Sequence, residues 1–181
     1  MDKIDSEERR ERIKDRCMDQ ASSAWWSYNQ HFKAANFNKF LGYGFSALVA
    51  VLGGILSYGL IWDGVPDWLM IVLAVSVSVA SGLELILSPS DKRERLADSA
   101  HEYQALFDDV VDFLELELPR NDRSTDDLDE EYEELRQRRR ELNDETPDVS
   151  SFWYLYVKWR KGSDGMKEAF SGDAEEELFE Q

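Results

Sequence analysis

The chain is poor in the residues that most small catalytic or disulfide-built proteins rely on. Cys17 is its only cysteine, which excludes an intrachain disulfide and a cysteine metal cluster. There is no glycine-rich phosphate loop, no nucleophile with a histidine at workable spacing and no metal-ligand cluster. No catalytic residue, metal ligand or cofactor is therefore assigned, and the chain reads as a non-enzyme. Cations are scarce as well: 21 Lys and Arg stand against 38 Asp and Glu, giving a formal charge of −17 and a pI near 4.4. Such a surface argues against nucleic acid as a partner, because phosphate binding needs clustered Lys and Arg. It suits a salt-rich cytoplasm, where excess carboxylates keep a surface solvated.

The most informative absence is local. Residues 40–88 contain no Lys or Arg and only three acids, Asp63, Asp67 and Glu84. The overall mean hydropathy of −0.53 hides this stretch because the rest is so polar. From Phe40 to Trp62 the sequence is uncharged, and about 23 residues at about 1.5 Å per residue cross a hydrocarbon core of about 30 Å. Asp63-Gly64-Val65-Pro66-Asp67 breaks the run, and Trp68 to Leu87 supplies about 20 more residues with Glu84 as the single charge. The expected architecture is all-α: a transmembrane helical hairpin carrying a cytoplasmic helical bundle. A signal peptide is excluded by the run's late start, its length and the second span that follows. Lys33 and Lys39 precede the first span, Lys92, Arg93 and Arg95 follow the second, and the turn has none. Both termini are then expected in the cytoplasm of a multi-pass cell-membrane protein, with Trp62 and Trp68 as anchors at the outer interface.

The two spans differ. In the first, Ser46, Ala50 and Gly54 recur at intervals of four and Gly53 pairs with Ser57, a helix-packing stripe that lets backbones approach closely in lipid. It serves either the hairpin itself or contact between chains. In the second, Ser81, Glu84 and Ser88 share a face and Ser78 lies one turn outward. These four are the pore-lining candidates. Glu84 is costly in hydrocarbon, so it either lines water or reaches the nearby interface.

Around the hairpin the periodicity predicts further helices. Residues 5–36 read as one amphipathic helix with Ser6 as N-cap and Ile13, Cys17, Ala21, Ala24, Tyr28, Phe32 and Ala35 on its apolar stripe. Trp25 and Trp26 point about 100° apart, so at least one must pack outside that seam. Ser88-Pro89-Ser90 interrupts the second span's helix. A helix over about 91–118 then carries Leu96, Ala100, Tyr103, Phe107, Val110 and Leu114 as a seam for the N-terminal helix, with His101 at its boundary. After Pro119 and a polar loop, a helix over about 125–143 begins at a Ser124 or Thr125 cap and presents Leu128, Tyr132, Leu135 and Leu142. Its cluster Arg136, Arg138, Arg139 and Arg140 is either an ion-paired face or a site for a phosphate or anionic headgroup. Beyond Pro147, the aromatic run Phe152 to Trp159 is expected to be buried as a plug of the bundle. The acidic tail is expected to be frayed. The parts divide as 1–39 (N-terminal cytoplasmic helix), 40–88 (hairpin), 89–161 (C-terminal cytoplasmic helices) and 162–181 (tail).

These features together resemble the SLATT family of two-transmembrane effector domains. The likeness lies in Ala24-Trp25-Trp26-Ser27-Tyr28 before the close hairpin and in Ser88-Pro89-Ser90-Asp91-Lys92 with His101, Tyr103 and Leu106. It continues through Phe113-Leu114-Glu115-Leu116-Glu117-Leu118, Leu128 to Leu135, Pro147 and the aromatic helix, to about Gly165. What the resemblance implies is an oligomeric pore-forming effector in prokaryotic antiviral or conflict defence, triggered by a nucleotide second messenger or a partner protein, with no catalytic residues. Two spans cannot enclose water, so a pore requires a homo-oligomer in the lipid. The competing expectation is a membrane-anchored scaffold or signalling adaptor, whose cytoplasmic helices recruit a partner.

Overall fold

The computed structural model describes residues 2–62 and 65–161. Every regular element among them is helical: α1 (Asp2–Ile61), α2 (Asp67–Leu87), α3 (Pro89–Asp112), a π-helical segment (Phe113–Glu117), α4 (Thr125–Glu145) and α5 (Ser151–Lys161). The expectation of a frayed tail over 162–181 lies outside the described residues. The chain forms two compact units, one from Met1–Lys33 with Leu96–Gln181 and one from Ala34–Arg95.

The amphipathic helix and the first span are one helix, α1. No proline or glycine occurs before Gly42, and the Asn38 side chain donates to the Ala34 carbonyl at 2.8 Å, which keeps it in helical register. The helix begins at Asp2, so Ser6 is an interior residue rather than a cap. The two units meet at 33/34 and 95/96 in sequence. The hairpin unit thus extends about two helical turns beyond its apolar stretch at both ends.

In the polar unit, Ile13, Cys17, Ala21, Ala24 and Trp25 of α1 are buried, as are all six predicted seam residues, five on α3 and Leu114 on the π-helical segment. Each large side chain removed from water there contributes about 1.5–3 kcal/mol. Trp25 enters the core, while Trp26 is half-buried and packs on Tyr154 with ring centroids 5.5 Å apart. The Leu118 N–H donates to the Phe113 carbonyl at 2.9 Å, closing the π-helical turn. Arg10 then gathers the chain that follows, its guanidinium donating to the carbonyls of Leu118, Arg120 and Arg123. The Ser124 hydroxyl accepts from the Asp127 N–H at 3.1 Å and caps α4. Leu128, Tyr132 and Leu142 join the core, and Leu135 packs against it.

The aromatic helix α5 departs from expectation. Val157 is buried, at 1% exposure, but Phe152, Leu155 and Trp159 are 60%, 62% and 83% exposed. An eleven-residue helix carrying seven apolar side chains cannot turn them all to one neighbour, and α5 is attached along the Trp153–Tyr154–Val157 side only.

In the hairpin unit, α2 ends at Leu87 because Ser88 adopts a left-handed conformation, φ 40° and ψ 57°, and Pro89 opens α3. Proline forbids its predecessor helical geometry and is itself tolerated at a helix start. Both helices are long and apolar enough to cross a membrane, with best windows of mean hydropathy 1.9 and 2.2. A soluble core helix that apolar would be mostly buried. These windows are 0% and 6% buried.

Candidate functional site

The half-buried residues of the two hairpin helices include Phe45, Val49, Leu52 and Leu56 of α1 and Leu73 and Val77 of α2. Ala80 is the buried residue of α2. A Cβ placed on Gly59 would lie 2.6 Å from the Met70 sulfur, so glycine permits the contact near the turn. Gly59 lies off the four-residue repeat of Ser46, Ala50 and Gly54, so that repeat does not mark it. Of the predicted packing stripe, Ser46 touches α2, whereas Ala50, Gly54 and Ser57 are exposed and Gly53 is half-buried. Added Cβ atoms at Gly53 and Gly54 would meet nothing within 4 Å.

Glu84 is the one ionisable side chain in the second apolar run, and α1 supplies its partner. The Ser46 hydroxyl donates to Glu84 Oε1 at 2.8 Å. Glu84 is half-buried, with its other carboxylate oxygen outside that bond. A polar group left unpaired in apolar surroundings costs several kcal/mol, and four serines are paired within their own helical segments. Ser76 donates to the Val72 carbonyl, Ser78 to that of Ala74, Ser57 to that of Gly53 and Ser88 to that of Leu85, all at 2.8–2.9 Å. The Ser81 hydroxyl has no hydrogen-bond partner among the described residues and Ser81 is exposed.

The four pore-lining candidates are therefore not equivalent. Ser78 and Ser81 are on exposed helix surface, Glu84 is tethered to α1 at the edge of the hairpin contact, and Ser88 sits half-buried at the left-handed break. Trp62 and Trp68 flank the turn and are both exposed, as interface anchors need to be; Trp62 packs edge-on to Tyr58 at 5.5 Å. Asp63 and Gly64 lie outside the described residues.

In the polar unit the arginine cluster of α4 disperses. Arg136 and Arg140 pair with Glu133, Arg138 with Asp109, and Arg139 donates to the Ser23 hydroxyl at 2.6 Å. The ion-paired alternative fits this geometry, since the four guanidinia do not converge. His101 is exposed and packs edge-on to Phe32 at 5.0 Å. His31, which no sequence pattern singles out, is buried with Nδ1 2.8 Å from the Ser27 carbonyl and Nε2 3.4 Å from that of Pro147. Beside it, the Tyr103 hydroxyl donates to Asn143 Oδ1 at 2.8 Å, so the end of α4 is fastened to α1 and α3. No periodic signal marks such a loop contact. Cys17 lies within the core, and burial pushes its thiol up to about 12. Comparison of the chain with protein-family models, curated proteins and solved structures returns no match.

Proposed function

We propose that the chain is a pore-forming membrane effector that acts as a homo-oligomer, with both termini on the cytoplasmic side of a cell membrane. The observation that supports this best is the sidedness of the hairpin. Its small and hydroxyl-bearing positions Ala50, Gly54, Ser78 and Ser81 are exposed rather than spent on its own closure, and Glu84 stands at the edge with Ser46 holding one oxygen. In lipid, an exposed stripe of small residues favours another helix, because backbones can approach and gain dispersion contacts there. Several copies in cyclic arrangement would set Ser78, Ser81, Glu84 and Ser88 around a lumen, and a ring of carboxylates favours cations.

The trigger, a nucleotide second messenger or a partner protein, and the setting in prokaryotic conflict defence rest on the resemblance to SLATT effectors. The polar unit would then hold the ring closed until the trigger arrives. Expression in a bacterial host tests the pore: toxicity is expected, and it is lost when Gly53 and Gly54 are both replaced by Leu while membrane insertion persists. A chain that stays monomeric in nanodiscs, or toxicity indifferent to that double change, removes the ring.

A further inference from the structure

Two surfaces of the polar unit remain without a function, and they complement one another. The first is a groove of about 490 Å³ between the end of α3, the π-helical segment and α4. Phe113, Leu116 and Leu135 give it apolar surface, with Leu116 62% exposed. Around them stand five carboxylates, those of Asp109, Asp112, Glu117, Glu131 and Glu134, against one guanidinium, Arg138. Arg138 is committed to Asp109, and Glu117 and Glu131 share Arg123. Asp112 and Glu134 make no ion pair among the described residues. The carboxylate density is felt next door, where Asp108 is raised by burial and then by Asp109 and Asp112. The groove is floored by a π-helical turn, a feature that recurs at functional positions because it widens the helix and re-aims its side chains.

The second surface is α5. Phe152, Leu155 and Trp159 recur at spacings of three and four, so they form one exposed stripe. Lys158 and Arg160 flank it on either side, and the helix contains no acid. Neither cation has a carboxylate partner among the described residues: Lys158 lies over the Tyr154 ring at 5.8 Å and Arg160 donates to the Tyr156 hydroxyl at 3.0 Å. Arg9, Arg120, Arg123, Arg136, Arg138 and Arg140 have carboxylate partners, whereas Lys158 and Arg160 meet aromatic side chains of their own helix and frame an exposed apolar stripe in a chain of charge −17.

We infer that α5 of one chain docks in the acidic groove of the next, its Phe152–Leu155–Trp159 stripe against Leu116 and its Lys158 and Arg160 against Asp112 and Glu134. The two surfaces share no residue, so each chain can give its helix to one neighbour and take a helix from another. That is a heterologous, head-to-tail contact, which generates a ring if the rotation closes. An aromatic core framed by complementary charge is the composition expected of such a contact. The inference deepens the homo-oligomer reading above and names a polar-unit interface for it.

The test uses the full chain in native membranes. Chains carrying only Leu116→Cys are mixed with chains carrying only Leu155→Cys and oxidised; Cys17 is buried and stays silent. A disulfide between the two variants, absent when either is oxidised alone, is expected. The second arm reverses charge: Lys158→Glu with Arg160→Glu, or Asp112→Lys with Glu134→Lys, should each raise the concentration for half-assembly at least tenfold, and combining them should restore it. Helicity by circular dichroism checks that each variant folds. No cross-link, or assembly indifferent to both reversals, overturns the inference. So does quenching of a fluorophore at position 155 by lipids carrying a headgroup spin label in the assembled state, since α5 would then face lipid. Cross-linked rings that never conduct would remove the pore and leave this contact standing, whereas conducting assemblies without the contact would do the reverse.

Discussion

Cys17 offers a built-in probe of the polar unit, and its behaviour can be worked through in numbers. Its side chain is wholly buried with Ile13, Ala21, Leu106 and Leu128 in one core, and burial raises its thiol from 9.0 to about 12. At pH 8 an ordinary thiol of that kind is about one-tenth thiolate and Cys17 about 10⁻⁴, so ionisation alone slows attack on a maleimide about 10³-fold. Core packing excludes the reagent besides, so labelling must pass through opening of the unit and report its free energy. Leu106 is fully buried in the same core, and Leu106→Ala should cost about 2–5 kcal/mol. At about 1.36 kcal/mol per decade, labelling of the variant should run about 30-fold to several thousand-fold faster. Mass spectrometry of quenched time points reads the rates. Wild-type labelling at the speed of an exposed thiol, or a Leu106→Ala rate equal to wild type, would refute a shared core. Because folding raises this pKa, the stability tied to the neutral thiol is complete below about pH 9 and is lost as pH rises toward about 12. Cys17→Ala should remove that part of the alkaline loss.

Three further outcomes are expected. Ser124→Ala removes the acceptor that caps α4 and should destabilise the polar unit by about 1 kcal/mol, seen as faster Cys17 labelling by roughly fivefold; no change would mean the cap is redundant. Gly59→Leu should splay the hairpin, because its Cβ alone displaces the Met70 thioether and the rest of the isobutyl group needs the same space, whereas Gly54→Leu should leave the hairpin closed. Distances between spin labels placed on α1 and α2 distinguish the two, and equal distances in both variants would contradict the assignment of the close approach. Ser46→Ala should weaken hairpin closure by about 0.6–2 kcal/mol through loss of the bond to Glu84; an unchanged detergent-unfolding midpoint would show that bond to be immaterial.

The sequence was most legible where one physical signal dominates. Charge-free length locates both apolar helices, Pro89 locates the break at Ser88, and spacings of three and four find the buried seam from Leu96 to Leu114. Phe152, Leu155 and Trp159 of α5 stay exposed against expectation, because aromatic content measures how much apolar surface a segment carries and not whether a neighbour exists to cover it. Gly59, rather than Gly53 or Gly54, marks the tight contact within the hairpin. Repeats of small residues reveal which helix faces permit close approach, but the partner that uses a face is set by helix rotation, which the repeat does not encode. The Ser46–Glu84 bond and the His31–Pro147 contact join residues distant in sequence, and no local pattern announces them.

The most direct test of the pore is current through planar bilayers containing the purified full chain at high protein density, recorded across a potassium chloride gradient. The expected result is a cation-selective reversal potential that moves toward zero in Glu84→Gln, as a ring of carboxylates requires. Assembled chains that pass no current at any density would contradict the pore itself, and a reversal potential untouched by Glu84→Gln would take Glu84 out of the ion path.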